Sequence, residues 1–173
     1  AIARTGHAEK TKIALDIAAS SWNAFDKEKM FAWYLAIAKK YPLISLEDPF
    51  AEDDWDGFAK IKKELGDKIN IVGDDLTATN VGRIEIAAQK DAINGVIIKP
   101  NQVGTITEAI GAARFARRAG WKIFASHRSG ETMDSFITDF AVGFSCDYIK
   151  AGAPTRPERM AKYNRLIEIE KQL

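Results

Sequence analysis

Apolar positions along the chain follow two alternating rhythms. Short runs rich in Val, Ile and Leu occur at KIALD (Lys12–Asp16), LISLE (Leu43–Glu47), INIVG (Ile69–Gly73), GVIIK (Gly95–Lys99), WKIFAS (Trp121–Ser126) and DYIK (Asp147–Lys150). Between them, apolar residues return every three or four positions, the spacing of one helix face. Counted from Ile13, Leu43, Ile69, Gly95, Trp121 and Asp147, the runs step by 30, 26, 26, 26 and 26 residues. A period of that size holds one strand, one turn and one helix, and six such units are predicted. The strands are apolar at consecutive rather than alternate positions. A strand covered on both faces requires this, so the pattern predicts a parallel sheet flanked by helices.

Helix punctuation agrees with the rhythm and places helices over 26–40, 53–65, 80–90, 105–119, 129–144 and 155–172. Thr105-x-x-Glu108 and Thr155-x-x-Glu158 fit capping boxes, Asn80 precedes an apolar stretch as an N-cap, and Gly120 stops RFARRA. Pro157 suits a first helical turn, which has no intrahelical use for its amide. Trp22, Trp33, Trp55 and Trp121 are expected to pack helices onto strands.

Six parallel strands allow an open doubly wound sheet or three quarters of an eight-stranded barrel. The doubly wound alternative calls for a glycine-rich turn after its first strand, and the residues after Asp16 read IAASSWNAF, with no glycine. The barrel is favoured. A complete one takes about 250 residues, so 1–173 is expected to be a single partial TIM-type (β/α) barrel domain lacking two units. The opening AIARTG carries no methionine and reads as the tail of a helix before Gly6, as in a piece of a longer chain.

Composition narrows the function. With 25 Lys+Arg against 24 Asp+Glu, the net charge of +1 supplies no long-range field to hold nucleic acid. The single Cys146 excludes an internal disulfide and fits a reducing compartment. No run of about 18 apolar residues predicts a membrane span, and the opening lacks the succession of a secretory signal, so a cytoplasmic protein is expected.

Barrel active sites lie at the C-terminal ends of the strands. The residues closing the six runs are Asp16, Glu47, Asp74, Lys99, His127 and Lys150, all ionisable. Asp16, Glu47 and Asp74, converging from three successive strands, offer hard oxygen ligands suited to Mg²⁺. Without a cation each pair at about 4 Å repels by on the order of 4 kcal/mol at an effective dielectric near 20. Lys99, on the next strand, is a candidate general base, because a nearby cation and desolvation both lower an ammonium pKa. In SHRSGET, Arg128, Ser129 and amides at a helix start are candidates to hold a phosphate, with Lys150 as a second cation for an anionic substrate.

The stretches ALDIAAS, YPLISLEDPFAEDDW, GDDLTATN, IIKPNQVGT, SHRSGET and IKAGAP, with AKYNRLIEIE, resemble the C-terminal barrel of the enolase family over nearly the whole chain. The resemblance implies that the chain supplies strands 3 to 8 of that barrel, and that the intact protein, as phosphopyruvate hydratase, dehydrates 2-phosphoglycerate to phosphoenolpyruvate in glycolysis with Mg²⁺. It implies Asp16, Glu47 and Asp74 as metal ligands, with Glu47 also at the substrate, and Lys99 as the base at C2. Ser126, His127, Arg128 and Ser129 would line the substrate site, and Lys150 would contact the substrate carboxylate region. The family's general acid, its N-terminal domain and part of its dimer contact precede the position of Ala1. The stretch between Asp16 and Glu47 is shorter than the family's, and Pro100 replaces an apolar residue after Lys99, restricting Lys99 to extended angles. Two other readings stay open: a catalytically inactive barrel piece serving as a binding or assembly module, and a superfamily enzyme that enolises a different carboxylate.

Overall fold

A computed structural model describes residues 2–24 and 26–173. Two compact units divide the chain, one formed by the residues up to Leu76 with Ala87–Asn94, the other by Thr77–Ile86 with Gly95–Leu173. Among the described residues, no helix is long and apolar enough to cross a membrane.

The first unit carries β1 (Ile13–Asp16), β2 (Leu43–Glu47) and β3 (Asn70–Gly73), parallel and adjacent in chain order. Helix α1 (Lys27–Lys40) starts where the Asp26 carboxylate accepts the Lys29 amide at 3.1 Å, and α2 (Trp55–Leu65) where Asp54 accepts the Gly57 amide at 3.0 Å. Each satisfies an amide that the first turn leaves without an intrahelical partner. Tyr34, Phe50 and Phe58 are fully buried and meet edge to face, with centroids 5.8 and 6.1 Å apart. The Tyr34 hydroxyl, equally buried, donates to Pro49 O at 2.7 Å, and burial raises its pKa. Strand β1 departs from the predicted two-sided burial: Ala14 and Asp16 are exposed and alternate with half-buried Ile13 and Leu15. Residues Ile2–Thr5, expected as a helix tail, form a short 3₁₀ turn that stops before Gly6; Ala1 lies outside the described residues.

The second unit carries β4 (Gly95–Ile98), β5 (Lys122–Ser126) and β6 (Tyr148–Lys150), again parallel and in chain order. Helix α3 (Val81–Gln89) begins at Asn80, whose side chain accepts the Arg83 amide at 3.1 Å, as the sequence predicts. A further short helix, α4 (Pro100–Val103), follows β4. In α5 (Ile106–Arg118), Ala109, Ala112, Ala113 and Ala116 are fully buried at the i, i+3, i+4, i+7 spacing. These small side chains let the helix backbone approach β4 and β5 closely. The predicted capping box holds at its start: Thr105 Oγ1 accepts the Glu108 amide at 3.2 Å and donates to Glu108 Oε2 at 2.7 Å.

Two helix starts and two tryptophans differ from expectation. Helix α6 spans Phe136–Gly143, seven residues later than Ser129. Thr132 Oγ1 accepts the Asp134 amide and Asp134 Oδ1 the Phe136 amide, so side chains take the backbone donors that an earlier helix would need. Helix α7 spans Pro157–Glu170, with Arg156 rather than Thr155 at the N-cap position and no side-chain capping bond there. A residue before proline is pushed out of the helical region, and Arg156 sits at φ −117°, ψ 148°. Trp121 is buried as predicted, whereas Trp22 and Trp33 are 48% and 45% exposed.

Candidate active site

Strand register assembles the acidic end of the first unit. Asp16 and Glu47 are direct partners at the ends of β1 and β2, and Glu47 stands opposite Val72 on β3. Paired residues on neighbouring strands, about 4.8 Å apart, project to the same face. Asp16 is exposed and Glu47 buried. Beyond Glu47 the chain enters the left-handed region at Asp48 (φ 42°), a conformation aspartate tolerates better than most residues. There Asp48 Oδ1 accepts the Asp74 amide at 3.0 Å and Oδ2 the Asp75 amide at 2.7 Å. One carboxylate thus braces the turn after β3 and fixes the two acids that follow it.

Among the described residues, Asp48, Asp74 and Asp75 can each offer one carboxylate oxygen, and these three oxygens lie within 4.8 Å of one another. Burial pushes the Asp48 carboxyl up to about 7; the amides of Asp75 and Asp74 oppose this, while the charges of Asp74 and Asp75 reinforce it. An all-oxygen, triply acidic set fits a hard divalent cation such as Mg²⁺. Of the predicted ligands, Asp74 belongs to this group, and Asp16 and Glu47 are brought together by register.

Register also organises the second unit. Ile98 pairs with Ala125 and Ala125 with Ile149, so the next residues, Lys99, Ser126 and Lys150, end three adjacent strands at one level. Ser126 and Lys150 are direct partners, and the His127 amide donates to Lys150 O at 3.1 Å. Lys99 is half-buried; its amide donates to Thr79 Oγ1 at 2.9 Å, and its backbone is extended (φ −122°, ψ 96°) before Pro100, as expected. A cavity of about 430 Å³ is lined by Asn101, Ser126, His127, Arg128, Glu131 and Lys162, among others. Arg128 and Ser129 are exposed, and Arg128 Nη1 reaches Asn101 O at 3.5 Å. The predicted phosphate contact from amides at a helix start does not hold at Ser129, because α6 begins at Phe136. Burial lowers the His127 pKa, Glu131 and a hydrogen bond with the Ala151 backbone oppose this, and Arg159 and Lys150 lower it further.

Asp48, Asp75, Thr79, Glu131 and Lys162 were not among the predicted site residues. The doublets Glu47-Asp48 and Asp74-Asp75 and the Glu of SHRSGET carried some signal. Lys162, in the middle of a helix, carried none.

Parallel βα units with ionisable side chains at the C-terminal ends of the strands have the layout of a TIM-type α/β barrel, and this chain is a partial barrel of that class. Residues 1–173 match the family described as enolase, C-terminal TIM barrel domain. The chain belongs to that family. It is 43% identical to Enolase 2 of Hevea brasiliensis and 41% identical to Enolase of Solanum lycopersicum, each over 192 aligned positions that cover all of this chain and 43% of the relative. Identity to Enolase B of Dictyostelium discoideum is 45% over 195 positions, covering all of this chain and 44% of the relative. The chain therefore spans less than half the length of these relatives.

Proposed function

We propose that this chain supplies the catalytic face of a lyase that dehydrates 2-phosphoglycerate to phosphoenolpyruvate. The observation that carries the reading is the level set by Lys99, Ser126 and Lys150 at the ends of three adjacent strands, in a family whose named relatives are enolases. Removing a proton from carbon next to a carboxylate adds negative charge to oxygens that already bear it, so the reaction needs cations where the charge develops. Lys99 takes the C2 proton on its Nζ. Lys150 contacts the substrate carboxylate, Arg128 and Ser129 the phosphate, and Ser126 and His127 line the pocket. Asp74, with Asp16 and Glu47 or with Asp48 and Asp75, holds Mg²⁺, which when bound supplies positive charge for the developing oxyanion.

Departure of the 3-hydroxyl as water needs a proton from a general acid, which the family resemblance assigns to a segment preceding the position of Ala1. The isolated chain is accordingly read as weakly active or inactive. Residues 1–173 are one partial barrel domain, since a single family match spans them; the intact protein is read as a cytoplasmic homodimer. The test is a dehydration assay with 2-phosphoglycerate and Mg²⁺ on the longest natural form carrying this sequence. Lys99→Ala should lower kcat by about 10²- to 10⁴-fold, the range of a general base. Undiminished turnover in that variant overturns the assignment.

A further inference from the structure

The segment 127–135, between β5 and α6, carries no helix or strand, yet it bears Arg128 on the cavity wall. Arg128 is exposed, and its Nη1 lies 3.5 Å from Asn101 O, at the far limit of a hydrogen bond. The guanidinium is therefore carried wherever the loop backbone puts it. Lys162 on α7 holds that backbone. It is only 2% exposed, and its ammonium donates to Thr132 O at 2.7 Å and, within α7, to Glu158 O at 2.8 Å. Glu131 Oε2 lies 2.7 Å from the same nitrogen, on a side chain only 11% exposed. That pair lacks the alignment of a hydrogen bond, so it acts through charge, with little water to screen it. The main chain of Lys162 adds a second tie: Thr138 Oγ1, fully buried in α6, donates to Lys162 O at 3.3 Å. One residue of α7 thus grips both the loop and the helix that follows it. A loop that moved away would strand a buried ammonium without its counter-charge, and that cost keeps the loop in place.

We propose that Lys162 is a positioning residue: by anchoring Glu131 and Thr132 to α7, it keeps the loop after β5 in the arrangement that presents Arg128 to an anion in the cavity. It acts through Arg128, and the inference rests on the reading of Arg128 as a contact to the substrate phosphate. Its kinetic signature follows from population arithmetic. A ligand that binds only the ordered loop sees its affinity reduced by the fraction of molecules in which the loop is ordered. If loss of the ammonium lowers that fraction to about one tenth, apparent affinity falls about tenfold for ground state and transition state alike. KM then rises while kcat holds, the pattern of lost uniform binding.

The test uses the longest natural form carrying this sequence. Lys162→Met keeps the length and apolar stem of the side chain and removes its three donors. It should raise KM for 2-phosphoglycerate roughly 10-fold with kcat changed less than about 2-fold, and weaken the binding of inorganic phosphate in calorimetric titration by the same factor. Hydrogen exchange over 128–135 should quicken at least about tenfold while the amides of β4, in the same unit, keep their rates; a merely structural loss would speed both. Glu131→Gln keeps the size of the side chain and removes only the counter-charge. It should move phosphate affinity and loop exchange in the same direction by a smaller factor, and it decides the matter where Lys162→Met does not fold. Unchanged phosphate affinity and loop exchange in either folded variant overturn the proposal. A fall in kcat at constant KM, or exchange that quickens equally in β4, overturns it too. If the unaltered form turns over no 2-phosphoglycerate, the lyase reading fails and the phosphate titration with the exchange rates decides the positioning role; if it also binds no phosphate, the proposal falls with it.

Discussion

Asp147 staples the start of β6 to the start of β5. Its amide donates to Ile123 O at 3.0 Å, and its Oδ2 accepts the Ile123 amide at the same distance. Ile123 is fully buried, so Asp147→Ala leaves its N–H with neither water nor side chain, at a cost of about 1–3 kcal/mol. With a urea dependence of about 1–3 kcal/mol per molar, the unfolding midpoint should fall by roughly 1 M. Asp147→Asn keeps an oxygen for the amide and loses only the charge on the bond, so it should cost about 1 kcal/mol. Burial by itself would raise the Asp147 pKa, but hydrogen bonds from Lys122 Nζ and the Ile123 amide outweigh it and hold the carboxyl below its ordinary value. A folded pKa below the unfolded one gives stability that is present above about pH 4 and is lost as pH falls through the folded value. The gap between the native and Asn chains should therefore be widest near neutrality and close in acid. The assay is urea unfolding at several pH values, with hydrogen exchange at the Ile123 amide. Equally slow exchange of that amide in the native and alanine chains, or a native–Asn gap that ignores pH, refutes the argument.

Three further outcomes follow from the structure. Phe58→Ala empties a fully buried position edge-on to Phe50 and should cost about 3–5 kcal/mol in thermal unfolding; a loss below about 1 kcal/mol contradicts the packing. In calorimetric titration with magnesium chloride, Asp74→Asn should weaken binding at least tenfold. A matching effect of Asp75→Asn makes Asp48, Asp74 and Asp75 the ligand set, a matching effect of Asp16→Asn makes it the strand-end trio, and retained affinity in Asp74→Asn excludes both. Gly152→Ala places a methyl at φ 77° and 2.7 Å from the Arg159 side chain, so it should destabilise by at least about 1–2 kcal/mol and displace that guanidinium; an unchanged melting temperature refutes the close approach.

The order of strands and helices was legible along the chain because periodicity is a local property. Apart from β1, the strands needed apolar cover on both faces, and each helix one apolar stripe, so the repeat of 26 residues announced the βα units before any contact was known. The same alternation put Asp16, Glu47, Lys99, Ser126 and Lys150 at strand ends, and register then set their levels. Sequence alone did not show that Asp48 would turn into the left-handed region to take the Asp74 and Asp75 amides. It gave no sign that the extended backbone before Pro157 would move the helix start past Thr155, or that side chains in the loop after β5 would delay a helix to Phe136. Nor did it show that Lys162, indistinguishable in sequence from a solvated helical lysine, is buried against Glu131. Those features are decided by partners about 26 to 31 residues apart, or by competition for a single amide, and only folding brings such groups within the 3 Å at which a charge or a hydrogen bond takes effect.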